Sequence, residues 1–186
     1  MGTDKAFVTL NGCTLLEHAL DLAHSVTSDV RIVGNAARFA PFGPVVEDIF
    51  PDCGPLGGIH AALRASLAEL NLILAVDTPF VSPNFLQCLI ARSRESTAVA
   101  TVPRSERGWQ PLCAVYRRQF ADLAEKALQE GKYKIDALFD PQRIQEIGEE
   151  KMRSAGFTVE MFRNLNTAEE LAMASGRQSA PHRRIT

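Results

Sequence analysis

The sequence has no apolar run long enough to cross a membrane. Its longest mostly apolar stretch, residues 70–76, is far shorter than the roughly 20 residues of a membrane-spanning helix. The first residues, MGTDKAFVTLNG, contain no basic segment followed by an apolar one, so they do not predict a secretory signal. These two absences favour a cytoplasmic protein.

Closely spaced metal-binding side chains are also missing. No CxxC pair occurs, which argues against a zinc knuckle and against a redox dithiol. The four histidines are scattered, so we expect no metal site built on them, and we expect the four cysteines to be reduced thiols. The residues concerned are Cys13, Cys53, Cys88, Cys113, His18, His24, His60 and His182.

Neither sign of charge is in large excess, with 20 Lys and Arg against 22 Asp and Glu and a net charge of -2. This balance argues against a general nucleic-acid or anionic-membrane binder. The length of 186 residues and the 46% hydrophobic content indicate one ordinary globular domain. We place that domain at residues 1–175 and expect residues 176–186, which lack apolar periodicity, to form a disordered tail.

Segments with strand character alternate with segments of helical periodicity. Apolar residues recur every three or four positions over 15–26, which predicts a helix capped by Thr14, and residues 104–110 read as a loop. The alternation indicates an α/β sheet with crossover helices, in which ligands bind beyond the carboxyl ends of the strands. The other predicted helices lie at 59–69, from 83, at 119–129, at 135–139 and from 167, and the predicted strands at 29–34, 44–47, 72–76, 97–102, 112–116, 144–147 and 158–162.

Asp77 follows the most apolar of these strands. A carboxylate at a strand end can hold Mg²⁺ against phosphate oxygens, because this ion prefers oxygen ligands and often takes only one or two from the protein. The alternative is a turn or helix-capping aspartate, since Asp-Thr-Pro is also a turn sequence.

Gly57 and Gly58, within PLGG at 55–58, precede a predicted helix and would let the backbone approach a ligand; the alternative is a tight turn. Lys5 could neutralise phosphate charge, although a lysine near the N-terminus is usually a solvated surface residue.

Asn35 and Asp48 are polar residues at strand ends. Amide and carboxylate groups can read the edge of a purine, and a carboxylate accepts the paired N–H donors that guanine presents. Turn formation is the alternative for both residues. Asn164 and Asn166 stand next to the start of the last predicted helix, so they could simply be its lead-in and cap.

Several of these segments occur together in an order that resembles one family, the molybdenum cofactor guanylyltransferases of the MobA type within the MobA-like nucleotidyltransferases. The likeness runs from residue 1 to about residue 171, and each motif alone is modest whereas the ordered set is specific. The segments are MGTDKA (1–6), NG (11–12) with LL (15–16), IVG (32–34), ED (47–48), GPLGGI (54–59), AVDTPF (75–80), PLCAVY (111–116) and NLNT (164–167).

The resemblance implies a Rossmann-like, three-layer nucleotidyltransferase fold with a mainly parallel sheet. It implies transfer of GMP from GTP to molybdenum–molybdopterin, giving the guanine dinucleotide cofactor and pyrophosphate with Mg²⁺ as the metal. Molybdoenzymes or their chaperones would be further partners, and no nucleic acid or membrane partner is expected.

The resemblance also assigns roles to individual residues. Lys5 matches a lysine that contacts the nucleotide phosphates, and Asp77 matches an aspartate that binds both nucleotide and magnesium, so these two are the expected catalytic residues. Asn35 and Asp48 match nucleotide-binding positions. Gly57 and Gly58 match a loop beside the nucleotide, and Asn164 and Asn166 match a motif near the pterin.

One departure from the family pattern concerns the first strand and the glycine-rich loop, approximately Leu-Ala-Gly-Gly-x-Ser-x-Arg-Met-Gly, that opens the family signature. The present sequence starts at the last two residues of that signature, so we expect the first strand of the sheet to be missing and activity to be impaired. A misassigned start codon, a truncated chain and a degenerate protein are the three explanations, and the coherent downstream motifs favour the first two.

Two other functions remain open at this stage. A cytidylyltransferase acting on the same pterin is the nearest alternative, although the glycine segment and Asp48 favour GTP in the family sense. A non-catalytic molybdopterin-binding carrier is the alternative if the loop is truly absent.

Overall fold

The structure, a computed structural model, describes residues 5–164 and has an α/β architecture. Its helices are α1 (Leu15–His24), α2 (Ala36–Phe39), α3 (Gly54–Ala65), α4 (Pro83–Arg94), α5 (Phe120–Gln129) and α6 (Glu149–Ser154). Its strands are β1 (Thr9–Leu10), β2 (Cys13–Thr14), β3 (Ile32–Val33), β4 (Val45–Val46), β5 (Leu70–Leu74), β6 (Ala100–Ser105), β7 (Gly108–Trp109), β8 (Cys113–Arg117) and β9 (Ile144–Gly148).

The strands form three separately hydrogen-bonded groups. β1 and β2 make a short antiparallel hairpin, and β3 pairs with β4 in parallel. The largest sheet has the order β5-β8-β6-β7. Strand β9 also belongs to it and pairs with β6 in parallel. β8 is antiparallel to both β5 and β6, so β5, β6 and β9 point in one direction.

The β3–β4 pair points in that same direction. Helix α3 connects the end of β4 to the start of β5, as a crossover between parallel strands does. The guanidinium of Arg31, just before β3, donates a hydrogen bond of 3.0 Å to the carbonyl of Ala65, at the end of α3 and shortly before β5. β3, β4, β5, β6 and β9 therefore run together, and β7 and β8 run against them within the described residues.

Helices cover the large sheet on both faces. α3 and α5 pack on one face through a cluster that includes Leu56, Leu63 and Phe120, all fully buried. α4 packs on the other face through Phe85 and Leu86, together with residues of α1 and the residues that follow α6. This three-layer arrangement confirms the predicted Rossmann-like α/β class and the mainly parallel strand direction.

The predicted cap of α1 is present. The Thr14 hydroxyl accepts a hydrogen bond from the Glu17 N–H, and the Glu17 carboxylate accepts one from the Thr14 N–H at 2.7 Å, which together make a capping box. The predicted strands at 29–34, 44–47, 72–76, 97–102, 112–116 and 144–147 are all found, with bounds shifted by a few residues.

Three local predictions were wrong. Residues 158–162 form a 3-10 helix (Val159–Phe162) rather than a strand, because Met161 and Phe162 turn together into the α4 layer. Part of the predicted 104–110 loop is a hairpin, since β6 extends to Ser105 and β7 pairs back onto it. Helix α3 begins at Gly54 instead of Ile59, so it includes both glycines.

The predicted helix from Thr167 and the tail at 176–186 lie outside the described residues. Within residues 5–164, no helix combines the length and the apolar character that crossing a membrane would need.

The buried Tyr116 provides a test of the core. Its hydroxyl donates to the Pro111 carbonyl at 2.8 Å, and burial raises the pKa of this phenol far above its usual range. We expect Tyr116→Phe to lower the free energy of unfolding by about 1 kcal/mol, because the partly buried Pro111 carbonyl loses its donor. Urea unfolding measures the change, and Tyr133→Phe, at a half-exposed tyrosine whose hydroxyl hydrogen-bonds to Cys53, is the comparison and should lower the free energy of unfolding less. Equal stabilities of the two variants would contradict the assigned hydrogen bond.

Candidate functional site

Polar residues lie at the carboxyl ends of three strands that run in the same direction. Asn35 follows β3, Asp48 follows β4 and Asp77 follows β5. The carboxyl ends of such strands meet at one edge of a sheet, where α/β proteins bind their ligands. The structure therefore places these predicted residues at the expected edge.

Asp77 and Lys5 form an ion pair at this edge. The Lys5 ammonium nitrogen Nζ lies 3.6 Å from the Asp77 oxygen Oδ2, and the aspartate side chain is only 20% exposed. The preceding Val76 packs against the buried cluster that contains Ala6 and Leu16, which keeps the Asp77 segment beside the segment that carries Lys5. Thr78 stabilises the turn by donating from its hydroxyl to the Ala75 carbonyl at 3.1 Å.

Asp48 lies beside the first turns of α3. Partial desolvation raises the pKa of this carboxyl above its usual value of 3.8. A Cβ added at Gly58 would lie 3.7 Å from the Asp48 oxygen Oδ1 and 3.3 Å from Val33, so the glycine allows the helix to approach both strands closely. The side chain of Cys53, the residue before α3, accepts no hydrogen bond from the helix. It therefore leaves the first amide groups of α3 to other acceptors.

Gly57 has a different role from Gly58. It is buried in α3, and an added Cβ would meet the Phe50 carbonyl oxygen at 3.0 Å. Both glycines were expected in a loop. The structure shows them inside the helix, where their lack of a side chain sets the distance between α3 and the segment that precedes it.

Asn35 acts as the N-cap of α2. Its side-chain oxygen accepts a hydrogen bond from the Arg38 N–H at 3.2 Å. This is the turn-forming role that the sequence left as an alternative, and it fixes the orientation of the amide while its nitrogen can still donate to a ligand.

The C-terminal part of the described chain returns to the Asp77 segment. The guanidinium carbon of Arg163 lies 4.7 Å from the centre of the Phe80 ring, and Asn164 follows as an exposed residue. Asn166 lies outside the described residues. Sequence reasoning missed Arg163 as a neighbour of the site. The AVDTPF segment, which ends at Phe80, gave no sign of which distant residue would contact that ring.

An aromatic cluster next to Lys5 was also missed. The rings of Phe7 and Phe39 stack with their centres 5.9 Å apart, and the Arg38 guanidinium carbon lies 5.1 Å from the Phe7 ring centre. The sequence carried no signal for this contact, because Phe7 and Phe39 lie far apart along the chain and belong to different elements.

The donor set fits a magnesium ion only if phosphate supplies most of the ligands. Among residues 5–164, no group of three or more His, Cys, Asp or Glu side chains is arranged to hold a metal ion. Asp77 offers one carboxylate, with Lys5 next to it. A single protein carboxylate together with phosphate oxygens is a common arrangement for Mg²⁺.

The chain matches a described protein family over most of its length. Residues 1–146 match the MobA-like NTP transferase domain. The chain is 34% identical over 175 residues to a molybdenum cofactor guanylyltransferase of Desulfosudis oleivorans, covering 93% of this chain and 86% of that protein. It is 30% identical over 175 residues to the molybdenum cofactor guanylyltransferase of Vibrio atlanticus, covering 91% and 86%.

Solved structures agree with this match. The molybdopterin-guanine dinucleotide biosynthesis protein A of Archaeoglobus fulgidus is 28% identical, with a TM-score of 0.81 over 96% of this chain and 92% of that one. The 2-C-methyl-D-erythritol 4-phosphate cytidylyltransferase of Thermus thermophilus is only 15% identical, with a TM-score of 0.71 over 96% of both chains. The latter similarity shows the nucleotidyltransferase fold alone.

The two glycines of α3 provide a matched test of the site's framework. Gly57→Ala places a methyl group against a backbone carbonyl, whereas Gly58→Ala meets side-chain atoms that can shift. We expect Gly57→Ala to lower the free energy of unfolding by about 1–2 kcal/mol, as overpacking does. We expect Gly58→Ala to change it by less than about 1 kcal/mol, because alanine also favours the helix. Thermal and urea unfolding measure both, and the reverse order would contradict the packing described here.

Proposed function

The chain belongs to the MobA-like NTP transferase family, and we propose that it transfers GMP from GTP to molybdenum–molybdopterin, forming the guanine dinucleotide cofactor and releasing pyrophosphate. The two relatives named molybdenum cofactor guanylyltransferase match more than nine-tenths of the chain. The observation that carries the proposal is the ion pair of Lys5 and Asp77 at the strand edge that also holds Asp48 and Asn35.

The reaction exchanges one phosphoanhydride bond for another. An oxygen of the pterin's terminal phosphate forms a bond to the α-phosphorus of GTP, and the bond from that phosphorus to the oxygen bridging to the β-phosphate breaks. Pyrophosphate leaves with the bonding electron pair. Such transfers depend on positioning and charge neutralisation more than on a covalent side chain, which fits a site without a nucleophilic residue among its described members.

Lys5 and Asp77 are the residues we assign to this step. The Lys5 ammonium would neutralise phosphate oxygens, and its present partner Asp77 keeps it at the strand edge. Asp77 would hold Mg²⁺, which when bound stabilises negative charge on the phosphates. The other ligands of the ion would come from the nucleotide, because Asp77 contributes one carboxylate.

Asp48 and Asn35 are the residues we assign to the base. An ionised Asp48 can accept both N–H groups on one edge of guanine, and Asn35 can donate from its amide nitrogen. Cytosine presents a different edge, with one amino donor next to acceptors, so the Asp48 carboxylate favours GTP over CTP. The cytidylyltransferase alternative predicts the opposite preference.

The pterin would lie on the other side of Asp77, along Phe80 and Arg163. The Arg163 guanidinium covers the Phe80 ring and is followed by Asn164, so this segment combines a cation, an aromatic face and an amide. We propose that Asn166 also lies near the pterin and that residues 1–175 form one catalytic domain. We further propose that the protein is cytoplasmic and passes its product to molybdoenzymes or their chaperones. Four free cysteines support a reducing compartment.

Removal of the Asp77 carboxylate tests the catalytic assignment. We expect Asp77→Ala to reduce kcat by at least about 100-fold, because charge on the reacting phosphates loses its counter-ion. Pyrophosphate release with GTP and molybdopterin measures the rate, and circular dichroism checks the fold.

Asp21→Ala, at an exposed aspartate of α1, is the matched control and should keep normal turnover. Near-normal turnover of Asp77→Ala would refute the assigned role. GTP binding without any nucleotidyl transfer would favour the carrier alternative.

The raised pKa of Asp48 predicts the pH dependence of GTP binding. Because only the ionised carboxyl accepts both N–H groups, GTP affinity should fall as pH decreases, starting at a higher pH than for an ordinary aspartate. Asp48→Asn should weaken GTP binding about 10–100-fold at neutral pH and remove this acid limb.

Calorimetric titration with GTP and with CTP at a series of pH values from neutral into the acid range follows this limb. Asp52→Asn, at an exposed neighbouring aspartate, is the control and should retain both the affinity and the acid limb. An unchanged GTP preference in Asp48→Asn would show that another residue reads the base.

A further inference from the structure

Lys5 lies in a single short turn of the chain. Residues Lys5–Phe7 form a 3-10 turn, and the Val8 N–H closes it by donating to the Lys5 carbonyl at 3.1 Å. The Lys5 side chain is half exposed, and its ammonium lies 3.6 Å from the Asp77 carboxylate. An ion pair with such an exposed partner contributes little to stability, so other contacts must fix the turn itself.

The proposed reaction weakens even this ion pair. An Asp77 carboxylate that holds Mg²⁺ shares its charge with that ion, and the Lys5 ammonium then turns to the phosphate oxygens. The backbone of Lys5 therefore has to be held by contacts that do not involve Asp77. The next two residues of the turn, Ala6 and Phe7, provide such contacts.

Ala6 and Phe7 attach the turn to the β3 side of the structure. Ala6 is buried in an apolar cluster with Leu16 and Ile32, and Phe7 packs against the same cluster. The Phe7 ring stacks on the Phe39 ring of α2, with centres 5.9 Å apart and planes inclined by 13°. An aromatic pair at this separation contributes more than its burial of apolar area alone.

The side chain of Arg38 contacts both rings of this pair. Its guanidinium carbon lies 5.1 Å from the Phe7 ring centre and 5.7 Å from the Phe39 ring centre. Both distances are within the range of about 6 Å over which a guanidinium is attracted to an aromatic face. Because Phe7 belongs to the Lys5 turn and Phe39 to α2, this one side chain joins the two segments.

The backbone of Arg38 belongs to the side of the site that we assign to the base. Its N–H donates to the side-chain oxygen of Asn35 at 3.2 Å. Arg38 thus orients the Asn35 amide through its backbone and contacts the Lys5 turn through its side chain.

Helix α2 is itself fixed by the strand ends around it. It has only four residues and is too short to be stable alone. The Ala36 N–H donates to the Glu47 carboxylate, at the end of β4, at 2.9 Å. A Cβ added at Gly34 would lie 2.9 Å from carbon atoms of the Phe39 ring, so this glycine lets the ring lie close against the end of β3. The helix is therefore attached to both strands that precede the base-binding residues.

We propose that Arg38 is a positioning residue of the nucleotide site. It holds the Lys5 turn against α2, so that the ammonium that meets the phosphates keeps a fixed distance from the Asn35 amide that meets the base. One nucleotide then finds both groups already in place, which reduces the ordering cost of binding. The assignment rests on the proposed function, and Arg38 acts through Lys5 without touching the nucleotide.

Hydrogen exchange in the nucleotide-free protein tests whether Arg38 holds the Lys5 turn. The Val8 amide reports on the turn, because it donates to the Lys5 carbonyl. We expect Arg38→Gln to speed exchange of this amide by at least about threefold, since the contact with the Phe7 ring is lost. Arg92→Gln, at an exposed arginine of α4, is the control and should leave the exchange rate unchanged. Unchanged Val8 exchange in Arg38→Gln overturns the proposal, whatever the result with GTP.

Nucleotide binding tests whether the position of the turn matters at the site. We expect Arg38→Gln to weaken GTP binding about three- to tenfold and to leave the binding of guanosine, which has no phosphate, nearly unchanged. Phe7→Leu keeps the charge of Arg38 but removes the ring, so it should weaken GTP binding to a similar extent. Calorimetry measures the affinity for GTP, and NMR titration measures the weaker affinity for guanosine. Arg92→Gln should retain both affinities.

Three results with nucleotides would overturn the assignment. Equal losses for GTP and guanosine in Arg38→Gln would indicate a general structural defect. Normal GTP affinity in Phe7→Leu would indicate that Arg38 itself contacts the phosphates. In a double-mutant cycle with Lys5→Gln, additive losses would indicate the same direct contact, whereas positioning predicts that Arg38→Gln adds little once the ammonium is gone.

Failure of the proposed function would be seen separately. A chain that binds no GTP contradicts that function, and the exchange rate of the Val8 amide then still decides whether Arg38 holds the Lys5 turn.

Discussion

The crossover of α3 from the end of β4 to the start of β5 is the contact on which the remaining architecture depends. It makes the two strands run in the same direction and so brings Asp48 and Asp77 to one edge. The helix is held against α5 by buried apolar residues and by Arg64, whose guanidinium pairs with Asp122 at 2.9 Å and also with Glu125. Gly57 and Gly58 then determine how closely its first turns approach the strands.

Charge at the site is local rather than spread over the surface. A net charge of -2 provides no general attraction for polyphosphates, so their binding depends on individual groups. Asp77 holds the Lys5 ammonium at the strand edge, and Cys53, the residue before α3, provides no side-chain cap for the first amides of that helix. This arrangement suits an enzyme that must bind a nucleotide and then release pyrophosphate, because a few contacts neutralise the charge without a strongly basic surface.

The local predictions succeeded where short-range chemistry decides the conformation. Thr14 and Glu17 carry the capping-box spacing, and the apolar run at 72–76 overlaps β5, although all five residues of that strand are only half-buried. The predictions were wrong where distant packing decides, as at Val159–Phe162, which had strand composition but forms a 3-10 helix against α4. Helix α3 begins earlier than predicted and includes Gly57 and Gly58. The lack of a side chain at Gly57 lets the helix pack closely on the Phe50 carbonyl, a contact that the local sequence does not show.

The sequence by itself determined the α/β class, the family and the residues at the strand ends, because these follow from apolar periodicity, turn residues and ordered motifs that are local in the chain. Only the tertiary structure decided which of those residues meet, as in the pairing of Lys5 with Asp77 and the approach of Arg163 to Phe80. It also decided that β3 and β5 face each other across a cavity instead of a hydrogen bond. Such contacts join residues far apart in the chain, and their geometry depends on how whole layers pack, which no local pattern encodes.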